Sequence, residues 1–133
     1  MILSKNFTLQ EFTKSVTAIR NDIDNSPNAE HIRNIQLLVK FVLQPLREGL
    51  NKPIRITSGY RSESLNKLIK GSKRSQHCKG QAADIQFKVD GVMDNKLIWE
   101  KVIELQLPFD QMINEFGYSW IHISYNHEHN RKS

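Results

Sequence analysis

Two histidines and one aspartate stand apart among the residues of this sequence that can do chemistry. Five histidines are present: His31, His77, His122, His127 and His129. His31 falls on the polar edge of a long amphipathic helix and reads as a surface residue. His127 and His129 lie in a polar tail, where they can hold a metal only adventitiously, without fixed geometry. His77 belongs to Ser75-Gln76-His77-Cys78-Lys79-Gly80-Gln81-Ala82-Ala83-Asp84, at the end of a polar loop running from Gly71 to Gly80. The strand that follows alternates Ala83, Ile85 and Phe87 with Ala82, Asp84 and Gln86. Its apolar set should face the core, leaving Asp84 on the opposite face beside small neighbours. His122 obeys the same logic: Ile121 and Ile123 share one face, and Trp120, His122 and Ser124 share the other. Two histidines and one aspartate are sound donors for a first-row metal. Three protein ligands with a fourth position left to water is the arrangement of a catalytic zinc, not a structural one.

Glu115 joins this group through strand register. A hairpin loop of two or four residues pairs Phe116 with Ser119, Glu115 with Trp120 and Ile113 with His122. Glu115 and His122 are then diagonal neighbours on one face, about 7–8 Å apart at the backbone. A three-residue loop would reverse the parity and separate them. Cys78 is adjacent to His77, and adjacent side chains on an extended chain point in opposite directions. It is expected to be a buried filler, not a ligand.

These residues need a scaffold, and the chain supplies it in two textures. Residues 7–51 read as helical. Thr8-Leu9-Gln10-Glu11 has the pattern of a capping box, and Ser26-Pro27 that of a cap followed by proline at the first helical position. Ile32, Ile35, Leu38, Val39, Val42, Leu43 and Leu46 form one apolar stripe of a long helix. Pro45 should kink or interrupt it, and Gly49 and Asn51 fit its end. Short strands then alternate with helices. Ile54–Thr57 is a strand closed by a Ser58-Gly59 turn, and Ser62 caps a helix carrying Leu65, Leu68 and Ile69. Residues 82–87 form a strand ended by Asp90-Gly91, and a helix with Leu97, Ile98, Val102, Ile103 and Leu105 runs to Pro108. Strands over 109–115 and 120–125 close the fold. The expectation is one α+β domain over residues 1–125, its N-terminal helices packed on a small, mainly antiparallel sheet, with a polar tail at 126–133.

The bulk properties narrow the function. A chain of 133 residues fits one domain. Its single cysteine excludes an intrachain disulfide framework and a four-cysteine zinc site. No apolar run approaches the roughly 18–20 residues that span a bilayer, so no membrane insertion is expected. The N-terminus lacks a signal-peptide core of about 7–15 apolar residues. The net charge of +5 suits an anionic partner. Its Lys and Arg residues are scattered, not blocked with aromatics, which argues against nucleic acid.

Three stretches together resemble one family: Ser58-Gly59-Tyr60-Arg61-Ser62, Ser75-x-His77-x-x-Gly80-x-Ala82-x-Asp84, and Trp120-Ile121-His122-Ile123-Ser124. It is the zinc D-alanyl-D-alanine carboxypeptidase family. Its relatives include phage L-alanyl-D-glutamate endolysins, vancomycin-resistance dipeptidases and the hedgehog signalling domain. Phe7-Thr8-Leu9-Gln10-Glu11-Phe12, Asp24-Asn25-Ser26-Pro27 and Gln44-Pro45-Leu46-Arg47 look like its small phage and prophage branch.

The resemblance implies zinc as cofactor, held by His77, Asp84 and His122, and a substrate-binding arginine at Arg61. Many members carry the catalytic acid three residues before the last ligand, where this chain has Ser119. Others carry it in an Asp-x-x-x-x-Glu pattern, which Asp110-Gln111-Met112-Ile113-Asn114-Glu115 resembles. Glu115 is the expected base and Asp110 the second candidate. Ser75 and Ser124 are further polar candidates, Ser75 toward substrate. The implied activity is hydrolysis of peptidoglycan stem-peptide amide bonds by a monomer. It would be a phage or prophage lytic enzyme, cytoplasmic until released onto the wall. The alternative is a zinc-binding or wall-docking module of the same fold without catalysis.

Overall fold

The computed structural model describes residues 1–128, 130 and 132; His129, named above for the tail, lies outside the described residues. Two short strands, β1 (Ile2–Ser4) and β2 (Phe7–Thr8), pair antiparallel and lead into α1 (Leu9–Thr13). The Glu11 carboxylate accepts from the Thr8 N–H at 2.9 Å, so the capping pattern works as read. Phe7 and Thr8, however, are strand and not helix. The side chain of Gln44 secures this hairpin, accepting from the Asn6 N–H and donating to Asn6 Oδ1.

After α2 (Val16–Arg20) the long helix begins as α3 (Ala29–Leu38), two residues later than Ser26-Pro27 suggests. Asn28 is its cap, because Asn28 Oδ1 accepts from the His31 N–H at 2.8 Å. Ser26 instead closes a local turn, its N–H donating to Asp24. The interruption expected at Pro45 is a widened π turn over Val39–Leu43, followed directly by α4 (Gln44–Leu50). Proline has no N–H and its ring crowds the preceding carbonyl. One wider turn, in which the Gln44 N–H reaches back to Val39 O, absorbs the mismatch. The apolar stripe stays on one side throughout: Ile35, Leu38, Val39, Val42, Leu43 and Leu46 are all buried. Asn51 ends the helix in a left-handed conformation.

The sheet carries the second half. Its strands are β3 (Ile54–Ser58), β4 (Ala82–Val89), β6 (Met112–Glu115) and β7 (Trp120–Ser124), in the order β3-β4-β7-β6, all antiparallel. A short β5 (Val92–Met93) folds back on β4 across Asp90-Gly91, so that turn closes a hairpin that extends β4 to Val89. Between them lie α5 (Glu63–Leu68), capped by Ser62 as read, and α6 (Lys96–Glu104).

The strand expected from Phe109 starts only at Met112. Upstream, the buried Ser124 hydroxyl takes the Gln111 N–H at 3.0 Å. The Asp110 N–H donates to Ser124 O, which replaces a regular ladder there. One face of the sheet, with Ala83, Ile85, Phe87, Ile121 and Ile123, packs on the α3–α4 stripe and on Ile98 and Val102 of α6 in one core. Each of these side chains larger than alanine contributes about 1.5–3 kcal/mol by leaving water. The other face is left free to carry the site.

Candidate metal centre

Strand pairing puts Asp84 directly opposite His122, and His122 directly opposite Ile113 on its other side. All three therefore project from the same face, away from the core. The loop between β6 and β7 has four residues, 116–119, and Glu115 pairs with Trp120 as the even-loop register requires. Glu115 consequently shares that face.

His77 arrives from the other side. It sits in a short 3-10 turn, Gln76–Lys79, that interrupts the polar loop. The Ser75 hydroxyl caps this turn by accepting from the His77 N–H at 3.2 Å. The turn ends at Gly80, where φ is +74° and a Cβ would lie 2.4 Å from His31 O. Glycine is the residue that tolerates both conditions.

The three donor groups converge. His77 Nε2 lies 3.2 Å from Asp84 Oδ1, and His122 Nδ1 lies 3.0 Å from the same oxygen. One donor atom from each residue falls within 4.8 Å of the others. Ligands held about 2.0–2.2 Å from a tetrahedral zinc are about 3.3–3.5 Å apart, so the spacing fits such an ion with little movement.

Protonation adds a second argument. His77 Nδ1 is 2.6 Å from Gly59 O, an oxygen that can only accept. Nδ1 therefore donates to it, which turns Nε2 toward the Asp84 carboxylate, where a proton or a metal cation has to stand between the two atoms. Orientation of a ligand imidazole by a backbone carbonyl is a usual feature of metal sites. The burial of Asp84 would push its carboxyl up. Hydrogen bonds from His122 and His77, with their charge when protonated, outweigh this and hold it well below the usual carboxylate range.

Around this group lies a cleft of about 800 Å³, lined by Arg61, Lys70, Arg74, Ser75, Ile113, Glu115, Phe116 and Trp120 among others. Arg61 is half-buried. Its backbone N–H donates to His77 O, and its Nη1 donates to Asn66 Oδ1 at 3.2 Å. Burial pulls its guanidinium below the ordinary value, and the Asp84 carboxylate opposes that pull. Asp110 is buried outside the cleft lining, accepting from Gln76 Nε2 at 2.8 Å. Ser119 is exposed, its hydroxyl donating to Phe116 O. Ser124 is committed to Gln111.

Cys78 is half-buried and stands on a 3-10 turn, where the extended-chain reasoning does not apply. It is not among the converging donors. Burial pushes its thiol up, which disfavours the thiolate a metal takes. His31 is not among the converging donors and packs on Tyr60, ring centroids 5.0 Å apart and tilted by 33°.

The profile of the Peptidase M15 family matches residues 5–124, spanning every element from β2 to β7. The chain belongs to the Peptidase M15 family. This is the zinc D-alanyl-D-alanine carboxypeptidase family that its motifs resemble. No curated protein matches the chain. For this M15 family member, the fold supplies a His–Asp–His group able to hold a metal ion. Among the described residues no helix is long and apolar enough to cross a membrane.

Two asparagines of the site escape sequence reasoning. Asn25 clamps the chain on both sides of Arg61: its Nδ2 donates to Tyr60 O and its Oδ1 accepts from the Ser62 N–H. The buried Asn66 holds the guanidinium and donates to Ser72 O. A signal for Asn25 existed in the Asp24-Asn25-Ser26-Pro27 stretch, which carried resemblance without a physical role. Asn66 had none.

Proposed function

We propose that this chain is a zinc-dependent peptidase that hydrolyses amide bonds of peptidoglycan stem peptides, acting as a lytic enzyme of a phage or prophage. In this reading residues 1–125 form a single peptidase domain that works as a monomer and reaches the wall after release from the cytoplasm. The observation that carries it is the convergence of His77, Asp84 and His122 in one cleft with Glu115 and Arg61.

His77, Asp84 and His122 would hold the ion, leaving the cleft side open. Bound there, zinc would polarise the scissile carbonyl and make water acidic enough to attack near neutral pH. Glu115 takes a proton from the attacking water and passes it to the leaving amine, as base and then acid. Arg61 holds a substrate carboxylate or the developing oxyanion, a task suited to a planar guanidinium. The stem peptide supplies such carboxylates on D-glutamate and D-alanine. Lys70 and Arg74, exposed on the same rim, favour an anionic substrate.

The test is digestion of purified peptidoglycan with and without a chelator, alongside Glu115→Gln. We expect chelation to abolish peptide release and zinc to restore it. Glu115→Gln should keep stoichiometric zinc and lose about 10²–10⁴-fold in rate. Digestion that survives complete zinc removal would overturn the reading. Zinc and wall binding with no new peptide termini would point to a docking module.

A further inference from the structure

The cleft has an aromatic end that the proposed chemistry does not use. Phe116 and Trp120 both line it, their ring centroids 5.1 Å apart and tilted by 56°. Phe116 is 77% exposed, a costly placement for a phenyl ring. It also has φ +48°, a left-handed conformation that a bulky side chain rarely adopts.

Nothing about this loop is loose. The Tyr118 N–H donates to Asn114 Oδ1, the Ser119 N–H to Glu115 O, and the Ser119 hydroxyl to Phe116 O. Asn95, itself 2% exposed, donates from Nδ2 to Tyr118 O and to Ser119 O. Gln86 Nε2 donates to Ser119 O as well. A hydrogen-bonded loop therefore presents an exposed ring to the cleft.

The rest of the cleft says what that ring meets. Arg61, Lys70 and Arg74 make part of the cleft lining basic, while Phe116, Trp120 and Ile113 make another part aromatic and apolar. The preferred occupant carries a carboxylate and also a flat apolar face. A peptidoglycan stem peptide offers both, because its first residue is attached to a muramoyl pyranose whose C–H face stacks well on an aromatic ring.

Resting on the peptidase reading above, we propose that Phe116 and Trp120 form a sugar-stacking subsite for the glycan end of the substrate. Phe116 follows Glu115 in the chain, and Trp120 is the cross-strand partner of Glu115, so the subsite adjoins the proposed base.

The test compares a muramoyl pentapeptide with the same pentapeptide lacking the sugar. Wild-type kcat/KM should favour the muramoyl substrate roughly tenfold, the scale of one aromatic stacking contact. Phe116→Ala and Phe116→Leu should shrink that ratio toward one, and Phe116→Tyr should keep it. Calorimetric affinities of the Glu115→Gln protein for the two ligands read the same ratio without turnover. The subsite is thus decided even if neither peptide is cleaved, an outcome that would count against the peptidase reading alone. A wild-type ratio near one, or a ratio that Phe116→Ala leaves unchanged, would overturn the inference.

Discussion

On the sheet side of the cleft, Asp84, His122 and Glu115 take their direction from strand alternation and register. On the loop side, Arg61, Ser75 and His77 are held by side chains that bond to backbone. The sheet side is specified locally, since every second residue must face away from a core that Ile85, Ile121 and Ile123 fill. The loop side is specified by distant residues: Asn25 clamps Ser62, and Asn34 donates to Lys79 O. A residue on the sheet side can therefore change with little effect on where its neighbours point. Changes on the loop side should spread through the hydrogen bonds that define it.

The largest expected effect is on the sheet side. His122→Ala removes one of three donors and a hydrogen bond to the Asp84 carboxylate, so stability should fall by about 1–3 kcal/mol. The several kcal/mol that a bound metal supplies to the transition state are lost, about 10³-fold in rate. Metal analysis and thermal unfolding of the purified variant separate the two effects. A variant that binds metal normally would remove His122 from the centre.

Next comes Asn66→Ala on the loop side. The Arg61 guanidinium loses the acceptor that fixes it, and Ser72 O loses a donor. We expect kcat/KM to fall roughly tenfold, chiefly through KM, because the arginine proposed to bind substrate has been set loose. Stability should fall by about 1–3 kcal/mol through the buried group left unpaired. Steady-state kinetics with metal content unchanged checks this, and a loss confined to kcat would contradict it.

That contrast also explains how much was legible in the sequence. Parity placed Asp84 and His122 on the free face, and the hairpin register placed Glu115 with them, because each needs only alternation over a few residues. The 3-10 turn at His77 and the clamps at Asn25 and Asn66 depend on contacts made only after folding. For Arg61 the motif resemblance named the residue, but no local pattern showed what holds it. The same limit explains the fold-level differences. Asn28 captured the helix cap from Ser26 through a bond to His31, and the Phe7–Thr8 strand exists only because Ile2–Ser4 folds back onto it.

A backbone change sharpens the comparison further. Gly80→Ala forces a Cβ to within 2.4 Å of His31 O at φ +74°. A non-glycine left-handed residue costs about 1–3 kcal/mol before the clash is counted. The turn that carries His77 should shift, lowering zinc affinity along with stability. Zinc titration followed by denaturant unfolding reads both, and a variant with wild-type affinity would show that the turn can relax without moving the imidazole.

The smallest effect tests whether the loop side transmits weak changes. The Ser62 hydroxyl caps α5 by accepting from the Leu65 N–H at 3.2 Å, and its backbone N–H is the one that Asn25 accepts. Ser62→Ala removes the cap and spares the clamp. Loss of such a cap costs about 1 kcal/mol. The α5 helix carries Asn66, so fraying of its first turn should loosen Arg61 and raise KM about twofold with kcat unchanged. A core truncation elsewhere, Ile98→Val in α6, should cost similar stability and leave KM alone, because α6 holds none of the groups that contact Arg61. Equal KM shifts in the two variants would mean that lost stability alone, not the loop-side linkage, weakens substrate binding.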